Sequence, residues 1–195
     1  MAYPTPSHGF RAQTLRALLA VERPLQEALR DALETSHAPR FVTTPCDDLH
    51  AVQSLTPLSR FDLLFFEWRE PDDLGIAADL RKEAPHIAMV AVSGTVDANS
   101  ARRLSSIGGQ DILDKNALHQ ELVIRVARDS VERQRLVEEA RRRHDLAQSA
   151  EHELQRFIDN SVDAMAVIDA TGRVLHWNPA GAALTGRSID DLVDH

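Results

Sequence analysis

The chain has 195 residues, of which 43% are hydrophobic and 5% aromatic, a composition typical of a globular protein with room for one full domain and part of another. Its formal net charge of −8 argues against a general nucleic-acid-binding role, and no apolar run approaches the roughly 20 residues that a membrane helix needs. The single cysteine excludes an internal disulfide, and the N-terminus lacks a signal-peptide pattern, so we expect a cytoplasmic protein.

Apolar strands alternate with amphipathic helices after a proline- and glycine-containing segment, residues 1–12, which we interpret as a flexible tail. Five such βα repeats predict an α/β domain over residues 13–128 with a five-stranded, parallel, doubly wound sheet. The predicted strands are 15–21, 40–44, 61–67, 87–93 and 111–115, and the predicted helices are 25–33, 48–55, 76–83, 97–107 and one beginning at 117.

The third predicted strand contains the most informative pattern of the chain. Its apolar run ends in Glu67, and Pro71 and Gly75 follow at fixed offsets. An acid at the carboxyl end of a parallel strand lies where open α/β sheets place their sites. The pattern resembles the receiver domain of two-component response regulators, a flavodoxin-like fold in which an aspartate at this position accepts a phosphoryl group. In this chain the position is Glu67.

The resemblance assigns site residues at the ends of three further strands. It implies an acidic pair after strand one that binds Mg²⁺, a hydroxyl after strand four and a lysine after strand five. The pair positions are Val21 and Glu22, so one acid is missing, whereas Ser93 and Lys115 match the family.

These departures predict a receiver that does not take phosphate. Glu67 carries its carboxylate one methylene further out, which displaces the nucleophile by roughly an ångström and disfavours an in-line reaction. Val21 removes an oxygen ligand, so we expect Glu22 and Glu67 to bind Mg²⁺ weakly or not at all, and we expect no other cofactor. Three interpretations remain open: a fixed, active-like state in which Glu67 faces Lys115 and Ser93, a vestigial scaffold, and residual phosphorylation of Glu67 or a neighbouring acid.

A long helix is predicted over residues 117–157, continuing from the last receiver helix, because this segment contains neither proline nor glycine and is rich in Glu, Arg, Ala and Leu. A 3-4 spaced series along it predicts a coiled-coil homodimer, and the alternative is a single solvated helix. A second candidate interface is the receiver face formed by helix four, strand five and helix five. The predicted dimer positions are Leu122, Val126, Leu136, Ala140, Ala147 and Leu154.

Residues 158–195 resemble the opening of a PAS domain. A hairpin is predicted from strands 164–168 and 173–177 around the Asp169–Gly172 turn, and Trp177-Asn178 follows. Only about forty residues of a domain of roughly 100 are present. We therefore expect a partial PAS domain without a complete ligand pocket, and the sequence does not indicate its ligand.

A receiver, a signalling helix and a PAS domain in this order resemble the front of bacterial signalling proteins. We expect a regulatory module without catalysis of its own, the front part of a cyclic-di-GMP enzyme of the GGDEF or EAL type. The alternatives are a phosphorylatable receiver of a phosphorelay, the front of a hybrid histidine kinase, and a plain dimerisation scaffold. His144 and His152 lack the proline that follows a kinase phosphoacceptor histidine, so we interpret them as solvated helix residues. No nucleic-acid or membrane partner is expected.

Overall fold

A computed structural model describes residues 14–55, 57–69 and 73–186 of the chain, so the predicted tail of residues 1–12 lies outside the described residues. The chain divides into two compact units, residues 1–139 and 140–195. Among the described residues, no helix combines the length and the hydrophobicity of a membrane span.

The N-terminal unit contains a five-stranded parallel sheet with the strand order β2-β1-β3-β4-β5. The predicted doubly wound α/β class is confirmed, and each strand lies within two residues of its predicted position. The strands are β1 (Thr14–Ala20), β2 (Arg40–Cys46), β3 (Leu63–Glu67), β4 (Ala88–Ser93) and β5 (Asp111–Asp114).

Helices cover both faces of this sheet. They are α1 (Arg23–Glu34), α2 (Leu49–Gln53), α3 (Asp73–Glu83), α4 (Ala98–Ser106) and α5 (Gln120–Asp159), and a 3-10 turn lies at Leu58–Arg60. The start of α4 is fixed by Asp97, whose carboxylate accepts hydrogen bonds from the backbone N–H groups of Asn99 at 2.8 Å and Ser100 at 2.7 Å.

The alternation of side chains along each strand separates two apolar cores. In β3, Leu63 and Phe65 pack with α1 and α5 on one face. Leu64 and Phe66 pack with α2, α3 and α4 on the other. Because helices cover both faces of the sheet, β3 is a continuous run of apolar residues up to Glu67, as is usual for strands of parallel sheets.

The long helix α5 changes character along its length. Its first half is part of the N-terminal unit, where Val123, Val126, Ala127 and Val131 belong to the apolar core. From Leu136 to Phe157 its residues are exposed, apart from the half-buried Glu138. The compact N-terminal unit extends to residue 139, because the core continues along the helix as far as Val131.

The C-terminal unit contains the antiparallel hairpin of β6 (Ala166–Ile168) and β7 (Val174–Trp177), followed by α6 (Pro179–Thr185). The turn between the strands forms around Asp169, whose Oδ1 accepts hydrogen bonds from the Thr171 hydroxyl at 2.6 Å and the Arg173 backbone N–H at 3.0 Å. Gly172 closes this turn with a φ of +89°, a conformation that favours glycine.

Candidate functional site

The predicted site residues lie at the carboxyl edge of the sheet. Glu67 is the last residue of β3 and pairs in register with Val92 of β4. Ser93 ends β4, and its carbonyl accepts a 2.9 Å hydrogen bond from the backbone N–H of Lys115, which follows β5. Parallel strands therefore bring the ends of β3, β4 and β5 to one edge, as the sequence pattern predicts.

The carboxylate of Glu67 is held between two cations. Its Oε2 accepts a hydrogen bond from Nη2 of Arg69, and its Oε1 lies 3.7 Å from Nζ of Lys115. The Glu67 side chain is only 13% exposed, whereas that of Arg69 is 62% exposed. The hydrogen bond with Glu67 is the main reason that the pKa of Arg69 is raised.

Sequence reasoning missed Arg69. Its spacing of two residues from Glu67 is a usable signal, because residues i and i+2 of an extended chain point to the same side. The backbone of Arg69 is held by Asp73 at the start of α3: the Arg69 N–H donates to Oδ2 of Asp73 at 2.6 Å, and the Asp73 N–H donates to the Arg69 carbonyl at 3.1 Å.

Ser93 is buried, and its hydroxyl oxygen accepts a 3.3 Å hydrogen bond from the Thr95 backbone N–H. Gly94 lies beside it, under the side chain of Lys115. A Cβ at residue 94 would lie 3.1 Å from Cε of Lys115, so the glycine leaves room for the lysine to reach Glu67.

Val21 and Glu22 do not form the acidic pair of an ordinary receiver. Val21 is almost fully buried and belongs to the apolar core between the sheet, α1 and α5. Glu22 is exposed and precedes α1, where its backbone carbonyl accepts hydrogen bonds from Leu25 and Gln26. Its charge makes a minor contribution to the raised pKa of Arg69.

A pocket of ≈ 150 Å³ borders the site, and two of its other carboxylates, those of Asp48 and Asp73, accept backbone hydrogen bonds. Asp48 accepts a 2.8 Å hydrogen bond from the Ala51 N–H as the cap of α2, and Asp73 accepts from Arg69. The pocket is lined by Ala20, Val21, Asp47, Asp48, Leu49, His50, Glu67, Arg69 and Asp73.

The residues present do not fit a receiver Mg²⁺ site. Mg²⁺ requires near-octahedral oxygen coordination. Val21 offers no donor atom, and both oxygens of Glu67 face cationic side chains. Within residues 14–55, 57–69 and 73–186 no group of three His, Cys, Asp or Glu side chains is arranged to hold a metal ion.

The predicted dimer positions of α5 fall into two groups. Val126 is buried in the N-terminal unit, and Leu122 packs against the same core, so these two contribute to the stability of the unit. The remaining four are exposed, with Leu136 at 57% and Leu154 at 60%. His144 and His152 are also exposed, and Arg141 lies 3.9 Å from Asp145 one helical turn later.

Asn178, in the Trp-Asn pair of the sequence pattern, is the central residue of the C-terminal unit. It is fully buried, and its Oδ1 accepts hydrogen bonds from the N–H groups of Met165 and Gly181, each at 2.9 Å. Its Nδ2 donates to the carbonyls of Ile158 at 3.0 Å and Asp163 at 2.8 Å. The side chain thus uses its full hydrogen-bonding capacity and joins the end of α5 to the start of α6.

A second contact joins α5 to the hairpin. Nε2 of His176 in β7 lies 2.7 Å from Oδ1 of Asp159, the last residue of the helix. α6 ends at Thr185 and is capped by Gly186, which has a φ of +68° and donates its N–H to the Ala182 carbonyl.

Known proteins are similar to the chain in two separate respects. The PAS fold family matches residues 152–194. A response regulator from Thermotoga maritima superposes with a TM-score of 0.56 at 17% identity, covering 62% of this chain and 99% of that chain. A receiver domain from Clostridium thermocellum gives 0.53 at 16% identity, covering 63% and 99%.

A third similar structure is described as an atypical orphan response regulator with a phosphorylation-independent regulatory mechanism. It has a TM-score of 0.52 at 14% identity, covering 60% of this chain and 96% of that chain. No curated protein matches the chain. At these identities the likeness shows the fold: the chain combines the fold of a response-regulator receiver domain with a segment of the PAS fold.

Proposed function

We propose that this chain is a regulatory module of bacterial signal transduction without catalysis of its own. In it, a receiver-like unit that does not accept a phosphoryl group is connected by a dimerising helix to a PAS segment. The observation that carries the proposal is the state of Glu67, whose carboxylate is occupied by Arg69 and Lys115. A nucleophile must approach phosphorus unobstructed and in line, and a carboxylate paired with two cations is poorly placed to do so.

The occupied carboxylate favours a receiver fixed in one state over one that is switched. In an ordinary receiver, phosphorylation adds negative charge close to the lysine. Here the longer side chain of Glu67 already supplies negative charge 3.7 Å from Nζ of Lys115. The similar atypical orphan response regulator is described as having a phosphorylation-independent regulatory mechanism, which supports phosphorylation-independent regulation by this chain.

Exposure of the chain to acetyl phosphate and Mg²⁺ tests this proposal, with intact mass as the readout and an ordinary aspartate-bearing receiver as positive control. We expect the control to gain the mass of one phosphoryl group and this chain to gain none. Trp68 supplies a second readout, because it adjoins Glu67 and packs edge-on against Phe66 at a centroid distance of 5.9 Å. Strong quenching of Trp68 by Mg²⁺ with beryllofluoride, or a phosphorylated product, would contradict the proposal.

Dimerisation is proposed to use the exposed part of α5. We define the helix stripe as the 3-4 spaced series Leu136, Ala140, Arg143, Ala147, Ala150, Leu154 and Phe157. Six of its seven members are apolar, and Phe157 is 69% exposed. An apolar stripe with this period is buried when two helices supercoil. Sedimentation of the Leu154→Glu variant tests this. We expect the variant to self-associate more weakly than the wild type, and an unchanged association would exclude the stripe as the dimer interface.

The position of the module in a longer protein is also proposed. The order of a receiver-like unit, a helix and a PAS segment supports the front part of a cyclic-di-GMP enzyme. The decisive measurement is the intact mass of the protein in its native cells. A mass well above 21.7 kDa, together with cyclic-di-GMP turnover by the purified protein, is expected. A native mass equal to that of this chain would contradict this part of the proposal.

A further inference from the structure

The carboxylate of Glu67 requires a permanent positive partner. Its side chain is 13% exposed, and a carboxylate withdrawn from water to this extent is costly unless a cation or hydrogen-bond donors compensate it. Arg69 supplies both through Nη2, whereas Nζ of Lys115 is 3.7 Å away, beyond hydrogen-bond distance. Of the two cations, Arg69 therefore makes the closer interaction.

The backbone from which the Arg69 side chain extends is held in place by hydrogen bonds. The reciprocal hydrogen bonds between Arg69 and Asp73 fix the main chain on both sides of the arginine Cα. On the strand side, the N–H of Trp68 donates a 2.8 Å hydrogen bond to the Val92 carbonyl. Arg69 is thus attached to β4 and to the start of α3, and only its side-chain torsions remain to be ordered.

From this arrangement we propose that Arg69 is the resident counter-cation of Glu67 and takes the charge-neutralising place of a divalent ion at this edge of the sheet. The inference rests on the proposed function and deepens it, because it names the group that keeps the site closed to metal. Arginine suits this role, since its guanidinium stays charged and matches the planar geometry of a carboxylate. The neighbouring carboxylates of Asp48 and Asp73 accept backbone N–H groups.

The experiment that tests this proposal measures the binding of Mg²⁺, without any phosphate donor, to the full chain. Thermal midpoints of the wild type, Arg69→Gln and Arg69→Lys are measured in millimolar MgCl₂ and in NaCl of equal ionic strength. Arg128→Gln is the matched control, because Arg128 is an exposed arginine of α5 paired with Asp129 at 3.2 Å. Trp68 fluorescence is followed in a Trp177→Phe background, which leaves one tryptophan.

We expect Mg²⁺ to raise the midpoint of Arg69→Gln by a few degrees and to change its Trp68 emission with a saturable dependence, because an ion that binds only the folded state stabilises it. The wild type, Arg69→Lys and Arg128→Gln should show no response beyond that to NaCl. The double variant Glu67→Gln/Arg69→Gln should also be unresponsive, because it lacks the carboxylate that would hold the ion.

The proposal is overturned by a wild-type response as large as that of Arg69→Gln, or by the absence of a response in Arg69→Gln. A response that persists in the double variant overturns it as well, because the ion would then bind elsewhere. Failure of the proposed function is distinguishable, since it appears as phosphorylation of the wild type by acetyl phosphate. If the wild type is not phosphorylated and Arg69→Gln does not respond to Mg²⁺, the counter-cation proposal is rejected and the proposed function stands.

Discussion

Nε2 of Gln110 donates a 2.6 Å hydrogen bond to Oε1 of Gln134, and this bond joins the segment before β5 to the middle of α5. Gln134 is buried and donates in turn to the Pro85 carbonyl in the loop before β4. The Pro85 carbonyl also accepts a 2.9 Å hydrogen bond from Nη1 of Arg81. Burial of the Arg81 guanidinium lowers the pKa of this residue. A polar network therefore fixes α5 at the last buried position before the helix becomes exposed.

Replacement of Gln134 by Ala should destabilise the N-terminal unit. The variant loses two hydrogen bonds and leaves Gln110 with a single weaker acceptor, the Gly108 carbonyl at 3.2 Å. We expect a loss of about 1–3 kcal/mol in the free energy of unfolding, measured by urea denaturation. Gln148→Ala is the matched control, because Gln148 is exposed on the same helix. Equal stabilities of the two variants would contradict a structural role for the network.

Replacement of Asn178 by Ala should unfold or loosen the C-terminal unit. Four hydrogen bonds disappear from a fully buried side chain, and the N–H groups of Met165 and Gly181 lose their acceptor. The expected cost is about 3 kcal/mol or more, since each unsatisfied buried group costs about 1–3 kcal/mol. Amide hydrogen exchange at Met165 reports the effect. Asn160→Ala should leave that exchange unchanged, because Asn160 is exposed and bonds only locally, to the Arg156 carbonyl.

The hairpin of the C-terminal unit should be sensitive to acid through Asp169. Hydrogen bonds, first of all from the Thr171 hydroxyl, lower the pKa of this carboxyl from its ordinary value of 3.8. A lowered folded-state pKa means that the ionised form stabilises the turn. This contribution is fully present above pH 3.8 and is lost as the pH falls through the folded-state pKa.

The amide chemical shift of Thr171, followed by NMR during acid titration, reports this loss. Asp169→Asn should remove the transition, because the amide does not titrate in this range. Asp163→Asn, which changes an exposed carboxylate of the same unit, should retain it. A transition at or above the ordinary carboxyl pKa would contradict the assigned stabilisation.

Replacement of Arg143 by Leu should strengthen the proposed dimer. Arg143 is the one charged member of the helix stripe, so a symmetrical pairing brings two guanidinium groups towards the same interface. We expect the dissociation constant from sedimentation equilibrium to fall at least tenfold, which corresponds to about 1.4 kcal/mol. Arg142→Leu adds the same apolar surface one residue away from the stripe and should have a smaller effect. Equal effects of the two variants would indicate nonspecific association.

The parts of the fold that depend on a local pattern of apolar residues could be predicted from the sequence. Continuous apolar runs such as 61–67 identify buried strands, and the ends of parallel strands necessarily meet at one edge, which brings Glu67, Ser93 and Lys115 together. The role of Gln134 was not accessible in this way. Its partners lie 24 and 49 residues away in sequence, so a polar residue in a charged helix gives no local sign that it is buried.

The 3-4 spaced series of α5 shows why one pattern can serve two purposes. Helical periodicity identifies an apolar face but does not identify what covers that face. Val126 and Leu136 belong to the same series, yet Val126 is buried by the sheet of its own chain and Leu136 is exposed. Only the three-dimensional contacts separate the half of the series that stabilises the fold from the half that is available to a second copy.

The continuity of α5 through residues 139 and 140 determines how this protein can be divided for study. A fragment that ends at residue 128 would lack Val131 and Gln134, and it would expose apolar surface that the intact chain buries. A fragment that ends after Glu139 retains both residues and removes most of the helix stripe. The second fragment is therefore the suitable reagent for deciding whether self-association needs the distal helix, since a monomer obtained from the first could result from a damaged core.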